Sequence, residues 1–212
     1  MLPTSEIVLT VAKLLRQHDL PLPVLDPVMQ SSSGGELMAK AAVEIMVNEL
    51  MPLTRVMTPN IPEAETLTGL RIINEDDMCE AAQKLRTMGA RAVLVKGGHL
   101  EQRSEVRGQR AEHVDQIKDV QPFNEVSRQA IDVLDDQDQI TVFREDWIDS
   151  RPVRGTGCVL SSAIAACLGQ RMELREAVAA AKRFVIDIIR DAPKFGPNTD
   201  SFELTEMSVL KE

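Results

Sequence analysis

Apolar residues recur at helical spacing in Ile7, Val8, Val11, Leu14 and Leu15. That pattern predicts an amphipathic helix from a cap at Thr4 or Ser5 to about His18. Leu20-Pro21-Leu22-Pro23 breaks it, and Val24-Leu25-Asp26 reads as a short buried strand ended by Pro27. A polar loop, Ser31 to Gly35, leads into a second amphipathic helix over Glu36 to Leu50, with Leu37, Ala41, Val43, Ile45, Met46 and Leu50 apolar. Val56-Met57-Thr58 is a second short strand, stopped by Pro59. Asn60-Ile61-Pro62-Glu63-Ala64-Glu65 runs in the order cap, early proline, first-turn acids, which suits the positive end of a helix, and Gly69 closes it. Asn74 to Met88 predicts another helix and Ala92 to Val95 a third, wholly apolar strand. Ala130 to Leu134 and Gln139 to Arg144 read as a hairpin around Asp135 to Asp138. Val159 to Leu168 is a helix of small and apolar residues, and Met172 to Arg190 a long amphipathic one ended by Pro193.

Strands alternating with helices predict a parallel sheet with helices on its faces. Ligands bind such sheets beyond the C-terminal strand ends. Asp26, Asn60, Glu63 and Lys96 all fall just past predicted strand ends, and that clustering marks a site. The segment 101–128 differs in kind. It is polar, charge-rich and nearly repetitive, Gln102-Arg103-Ser104-Glu105-Val106 being echoed by Gln109-Arg110-Ala111-Glu112-His113-Val114, and it reads as a solvated flexible insertion that leaves the sheet intact.

Composition narrows the function. The chain has 212 residues, 43% of them hydrophobic, which suits one α/β domain. There is no Tyr and a single Trp, so stacking platforms for single-stranded nucleic acid are scarce. A net charge of -9 also argues against nucleic acid or an anionic membrane as partner. Cys79, Cys158 and Cys167 show no framework spacing, and no leader or spanning segment is evident, so a reduced cytoplasm is expected.

The candidate chemistry centres on Arg154-Gly155-Thr156-Gly157-Cys158, a glycine-rich turn opening a helix. Glycines let a ligand approach the backbone, and the first helical amides have no partner within the helix, so the turn can cradle an anion. The same field lowers the pKa of a thiol at Cys158. A plain helix start with a small buried cysteine fits the same residues.

Four motifs occur here in order: Val24-Leu25-Asp26-Pro27-Val28-Met29, Thr58-Pro59-Asn60-Ile61-Pro62-Glu63-Ala64-Glu65, Val95-Lys96-Gly97-Gly98-His99 and Gly155-Thr156-Gly157-Cys158. Together they resemble the hydroxymethylpyrimidine/phosphomethylpyrimidine kinases of thiamine biosynthesis, within the ribokinase superfamily. The resemblance implies a single three-layer α/β domain over 1–212 with a mostly parallel central sheet. It implies phosphoryl transfer from ATP, with Mg2+, to an aminopyrimidine hydroxymethyl group or its monophosphate. On that pattern the amides of Gly155, Thr156 and Gly157 form an anion hole, and Cys158 accepts or steers the hydroxyl proton in place of the superfamily's usual Asp. Lys96 neutralises phosphate charge. Asp26 and Glu63, with Asn60 nearby, position the metal through waters. Lys182 lines the nucleotide side, and Val28 and Met1 touch the pyrimidine. Blander roles stand beside these: Asp26 as a strand cap, Asn60 as a helix cap, Glu63 as a dipole-complementing acid, Lys182 as a solvated lysine.

The departures from the family pattern carry their own expectations. The family has a strand–helix–strand section ahead of Met1, with a glycine pair and much of the pyrimidine pocket, so the chain is expected to be incomplete at its N-terminus. The family's His before the glycine turn is Arg154, and a usual loop Lys is Ser32. The nucleotide half of the site is thus better represented than the acceptor half. An open sheet edge and apolar helix faces favour a homodimer or aggregation. Two rival readings follow: a nucleotide-binding remnant or interaction module, and a pyridoxal kinase.

Overall fold

A computed structural model describes residues 2–30, 35, 37–98, 129–148 and 155–191. Met1, Ser32, His99, the 101–128 insertion, Arg154 and the tail from 192 lie outside the described residues. Helix α1 spans Ser5–Gln17. Thr4 sits at its cap in extended conformation and makes no side-chain bond to the helix. Its buried face is narrower than its apolar pattern: Val8 and Ala12 are buried, whereas Ile7 and Leu14 are exposed.

Strand β1 is Val24–Leu25, β2 is Val56–Met57 and β3 is Ala92–Lys96. They pair in parallel, each crossover carrying helices. The second predicted helix starts later and changes form. Helix α2 is Lys40–Ile45, followed by a π turn at Met46–Leu50 and a 3-10 turn at Met51–Leu53. Leu37 N donates to Met29 O and Ala39 N to Pro3 O, so the backbone before Lys40 is tied to other segments. At the other end Pro52 has no amide to donate, and its ring crowds the carbonyl four residues back, so a regular α ladder cannot run into it.

Helix α3, Ile61–Thr68, and helix α4, Glu75–Thr87, start as their sequences dictate. Asn60 and Asn74 each accept from the third helical amide, while Glu63 and Asp77 reach back to the cap amide. Gly69, at φ 70, and Gly89, at φ 114, follow where the chain must turn left-handed.

Strands β4, Gln129–Asp136, and β5, Gln139–Asp146, are longer than the pattern suggests and leave a two-residue turn. Gln137 and Asp138 take φ 55 and 64, the positive pair that matches the twist of a tight hairpin. The hairpin joins β3 antiparallel, giving a mixed sheet in the order β1-β2-β3-β4-β5. Strand β1 is one edge, and Leu20 and Leu22 leading to it are exposed.

Alternation along the strands divides the core. Met57, Val93, Val95 and Val133 face the layer of α1 to α4. Val56, Ala92, Leu94 and Leu134 face helix α5, Thr156–Gly169, and helix α6, Leu174–Asp191. The result is a three-layer α/β domain. No helix among the described residues is long and apolar enough to cross a membrane.

Candidate active site

The three parallel strands open toward one edge of the sheet and place a polar residue at each exit, with β3 running further than the others. Asp26 follows β1, Thr58 follows β2 and Lys96 ends β3. Backbone bonds hold these exits in step: Thr58 N donates to Leu25 O at 2.9 Å and Lys96 N to Pro59 O at 2.8 Å. Lys96 Nζ then reaches Asp26 Oδ1 at 2.7 Å. Thr58 Oγ1 lies 3.2 Å from the same oxygen and 2.9 Å from Ser161 Oγ on α5. Ser161 in turn donates to Gly157 O at 3.0 Å. A chain of short contacts therefore links the carboxylate, the lysine and the first turn of α5.

That first turn is built around glycine. Gly155 caps the helix at φ 86, a conformation side chains rarely adopt. A Cβ on Gly157 would stand 3.2 Å from Lys96 Nζ, so the ammonium lies against the turn itself. Thr156 opens the helix and its amide, with those of Gly155 and Gly157, belongs to the unpaired N-terminal end. One lysine charge and a helix N-terminus thus meet at one point, an arrangement that attracts an anion.

An open cleft of about 300 Å³ lies beside this point, lined by Asp26, Val28, Met38, Cys158, Ser161 and Leu2 among others. Cys158 is exposed there rather than buried as a plain helix start would have it. Its thiol does not become acidic. Loss of surrounding water and the hydrogen bond and charge of Asp26 push it up to about 11, against a smaller opposing pull from Lys96. The expected lowering by the helix field is reversed, because loss of water around the thiol, and then the Asp26 carboxylate, disfavour the thiolate.

Glu63 is buried, and its pKa is raised mainly by that burial; the amide of Asn60 and the charge of Lys96 oppose the shift. Its Oε2 accepts from Asn60 N at 2.8 Å while Asn60 Oδ1 accepts from Glu63 N at 2.9 Å. Asn60 also bridges to Lys96 in the sheet, so the capping box abuts the site. Among the described residues no group of three or more His, Cys, Asp or Glu could hold a metal. Asp26 and Glu63 are two carboxylates within electrostatic reach of each other, not a cage.

Lys182 is neither solvated nor in the cleft. It is buried on α6, with Nζ 2.6 Å from Asp132 Oδ2. Thr58, Ser161 and Asp132 are the residues that sequence reasoning missed. Asp132, flanked in β4 by the apolar pairs Ala130-Ile131 and Val133-Leu134, carried a usable signal; the two hydroxyls carried none.

The phosphomethylpyrimidine kinase family model matches residues 1–203. A hydroxymethylpyrimidine/phosphomethylpyrimidine kinase of Aquifex aeolicus is 35% identical over 92% of this chain and 67% of its own length. A thiamine biosynthesis bifunctional protein of Geobacter sulfurreducens is 37% identical over 92% of this chain and 35% of its own. Among solved structures, a Bacillus subtilis pyridoxal kinase in complex with ADP superposes with a TM-score of 0.70 at 32% identity, covering 93% of this chain and 64% of that one. A phosphomethylpyrimidine kinase from Clostridium difficile gives 0.66 at 32% identity, covering 89% and 66%. The three-layer fold is that of these ribokinase-like kinases, and the chain spans from about a third to two thirds of the length of the proteins it matches. Since the match runs through every element that bounds the cleft, this chain belongs to the phosphomethylpyrimidine kinase family.

Proposed function

We propose that this chain phosphorylates hydroxymethylpyrimidine and/or its monophosphate at the expense of ATP, as a step of thiamine biosynthesis in the cytoplasm. The observation that carries this reading is the convergence of the Asp26–Lys96 pair with the glycine turn of α5 beside an open cleft. Relatives named for this activity, and the free thiols of the described cysteines, support it.

Phosphoryl transfer asks a protein mainly for position and charge. Lys96 and the amides of Gly155, Thr156 and Gly157 receive the phosphate being transferred. Val28 borders the acceptor side of the cleft, where Met1 joins it on the family's pattern. Cys158 keeps its proton at neutral pH, so it steers the acceptor hydroxyl rather than deprotonating it. Asp26 and Glu63 would hold Mg2+, largely through waters. Bound there, Mg2+ supplies charge neutralisation for the phosphates. Asn60 keeps Glu63 aimed by the capping box.

A second reading, pyridoxal phosphorylation, has its own support. A pyridoxine kinase of Bacillus subtilis is 32% identical over 91% of this chain, and a Staphylococcus aureus pyridoxal kinase with ADP superposes at a TM-score of 0.74. Coupled ATP-consumption assays with hydroxymethylpyrimidine, its monophosphate and pyridoxal separate the two. A higher kcat/KM on the pyrimidines is expected. A preference for pyridoxal favours the second reading, and folded protein that binds ATP without turnover reduces the chain to a nucleotide-binding module.

A further inference from the structure

A second lysine–aspartate pair lies on the same face of the sheet as Lys96, one strand nearer the β5 edge. Lys96, Asp132 and Phe143 form one cross-strand row through β3, β4 and β5. Lys182 descends onto this row from α6, its Nζ 2.6 Å from Asp132 Oδ2 and 5.9 Å from the centre of the Phe143 ring. The two charged side chains are only 6% and 11% exposed. A buried ion pair is a poor source of stability compared with an apolar pair of the same shape. Its retention here has a second use in view, because Asp132 does more than neutralise Lys182.

The β3–β4 ladder ends at the Lys96–Asp132 pair. The next amide, Gly97 N, donates to Asp132 Oδ1 at 2.9 Å, a side chain instead of a backbone carbonyl. The fit is close on both sides: a Cβ on Gly97 would lie 2.2 Å from Ile131 O and 2.7 Å from Met78 Cε. Asp132 thus divides its two oxygens between the α6 ammonium and the peptide that immediately follows Lys96. With Lys96 N held by Pro59 O, the backbone is fixed on both sides of the lysine. Its side chain is left one arc, which ends between Asp26 and Gly157.

We propose that Asp132, held in place by Lys182, is a positioning residue that sets Lys96 for phosphoryl transfer. This rests on the kinase reading, but the clamp has a signature of its own. Two charge-free double variants separate position from packing. Asp132→Asn/Lys182→Met keeps an acceptor for Gly97 N, whereas Asp132→Leu/Lys182→Met removes it. For each, thermal melting, kcat, KM for ATP and the acetylation rate of Lys96 by mass spectrometry are measured, with Lys84 on α4 as internal control.

In the Leu/Met variant kcat falls about 10- to 100-fold with little change in KM, the loss expected when a charged group is displaced by roughly an ångström. Lys96 acetylation rises several-fold while Lys84 is unaffected. The Asn/Met variant recovers both. A folded Leu/Met variant with Lys96 still slow to react and kcat intact overturns the proposal, as does an Asn/Met variant that melts like the wild type and recovers neither. Failure of the kinase reading shows instead as an inactive wild type, and acetylation alone then decides. Should the Leu/Met variant not fold, amide exchange in the wild type decides: slow exchange at Gly97 supports the clamp, and fast exchange overturns it.

Discussion

The two lysine–aspartate pairs of this domain have nearly the same length and similar burial but different neighbours. Lys96–Asp26 spans 2.7 Å and opens on the cleft; Lys182–Asp132 spans 2.6 Å and is sealed between α6 and the sheet. In the open pair Asp26 also meets Thr58 and Cys158, and the lysine lies against the glycine turn of α5. In the sealed pair the carboxylate serves its lysine and one backbone amide. The difference shows that an ion pair's length says little about its job. The cleft beside a pair and its remaining partners decide whether the charges meet a ligand or hold the chain.

Breaking each pair from the lysine side sharpens this contrast. Lys182→Met leaves Asp132 buried and uncompensated and is expected to cost about 3–5 kcal/mol in denaturant unfolding. Lys96→Met, at the open pair, is expected to lower kcat by about 10²- to 10³-fold, the usual loss of one preorganised charge partner. Its unfolding midpoint is expected to move less, since Asp26 lines the cleft and keeps Thr58 as a partner. If Lys96→Met unfolds the protein as readily as Lys182→Met, the distinction between the pairs fails.

The two glycines against these pairs extend the comparison. Gly97→Ala drives a Cβ into the carbonyl of Ile131 and is expected to destabilise by about 1–3 kcal/mol. Gly157→Ala meets only the flexible end of Lys96 at 3.2 Å, so melting is nearly unchanged while turnover falls about tenfold as the ammonium is pushed aside. The smallest effect is at Cys158. With its thiol at about 11 against the ordinary 9.0, alkylation by iodoacetamide at pH 7 is expected to run about tenfold slower than for an unperturbed thiol, since the scarcer thiolate is partly offset by its greater nucleophilicity. Its rate should rise with pH toward that value. A midpoint below 9 would mean that the helix field prevails over Asp26.

Local signals made much of this fold legible in sequence. Asn60-Ile61-Pro62-Glu63 and Asn74 to Asp77 are capping boxes whose partners lie within one turn, and Ala92 to Val95 is apolar because both faces of β3 are covered. Asp26, Asn60, Glu63 and Lys96 were grouped because strand exits share one edge of a parallel sheet, and Gly157 joined them through the family pattern. What escaped depends on partners distant in sequence. The segment before Lys40 is withheld from α2 by bonds to Met29 and Pro3, which no periodicity reveals. Asp132 sits at an alternating strand position that could equally face water, and only α6 makes that face interior. Thr58 and Ser161 gain meaning from each other across the sheet–helix junction. The state of the Cys158 thiol is set by loss of surrounding water and by the carboxylate at β1's exit, neither of which the glycine turn announces.

Phosphorus NMR of a reaction containing ATP, Mg2+ and hydroxymethylpyrimidine tests whether the cleft is a phosphoryl-transfer site. Wild-type protein should give ADP together with a new phosphomonoester on the hydroxymethyl group, and Lys96→Met should suppress both. Wild-type protein that folds and binds ATP yet yields no phosphomonoester, or a Lys96→Met variant that forms it at the wild-type rate, would contradict the assignment of this cleft.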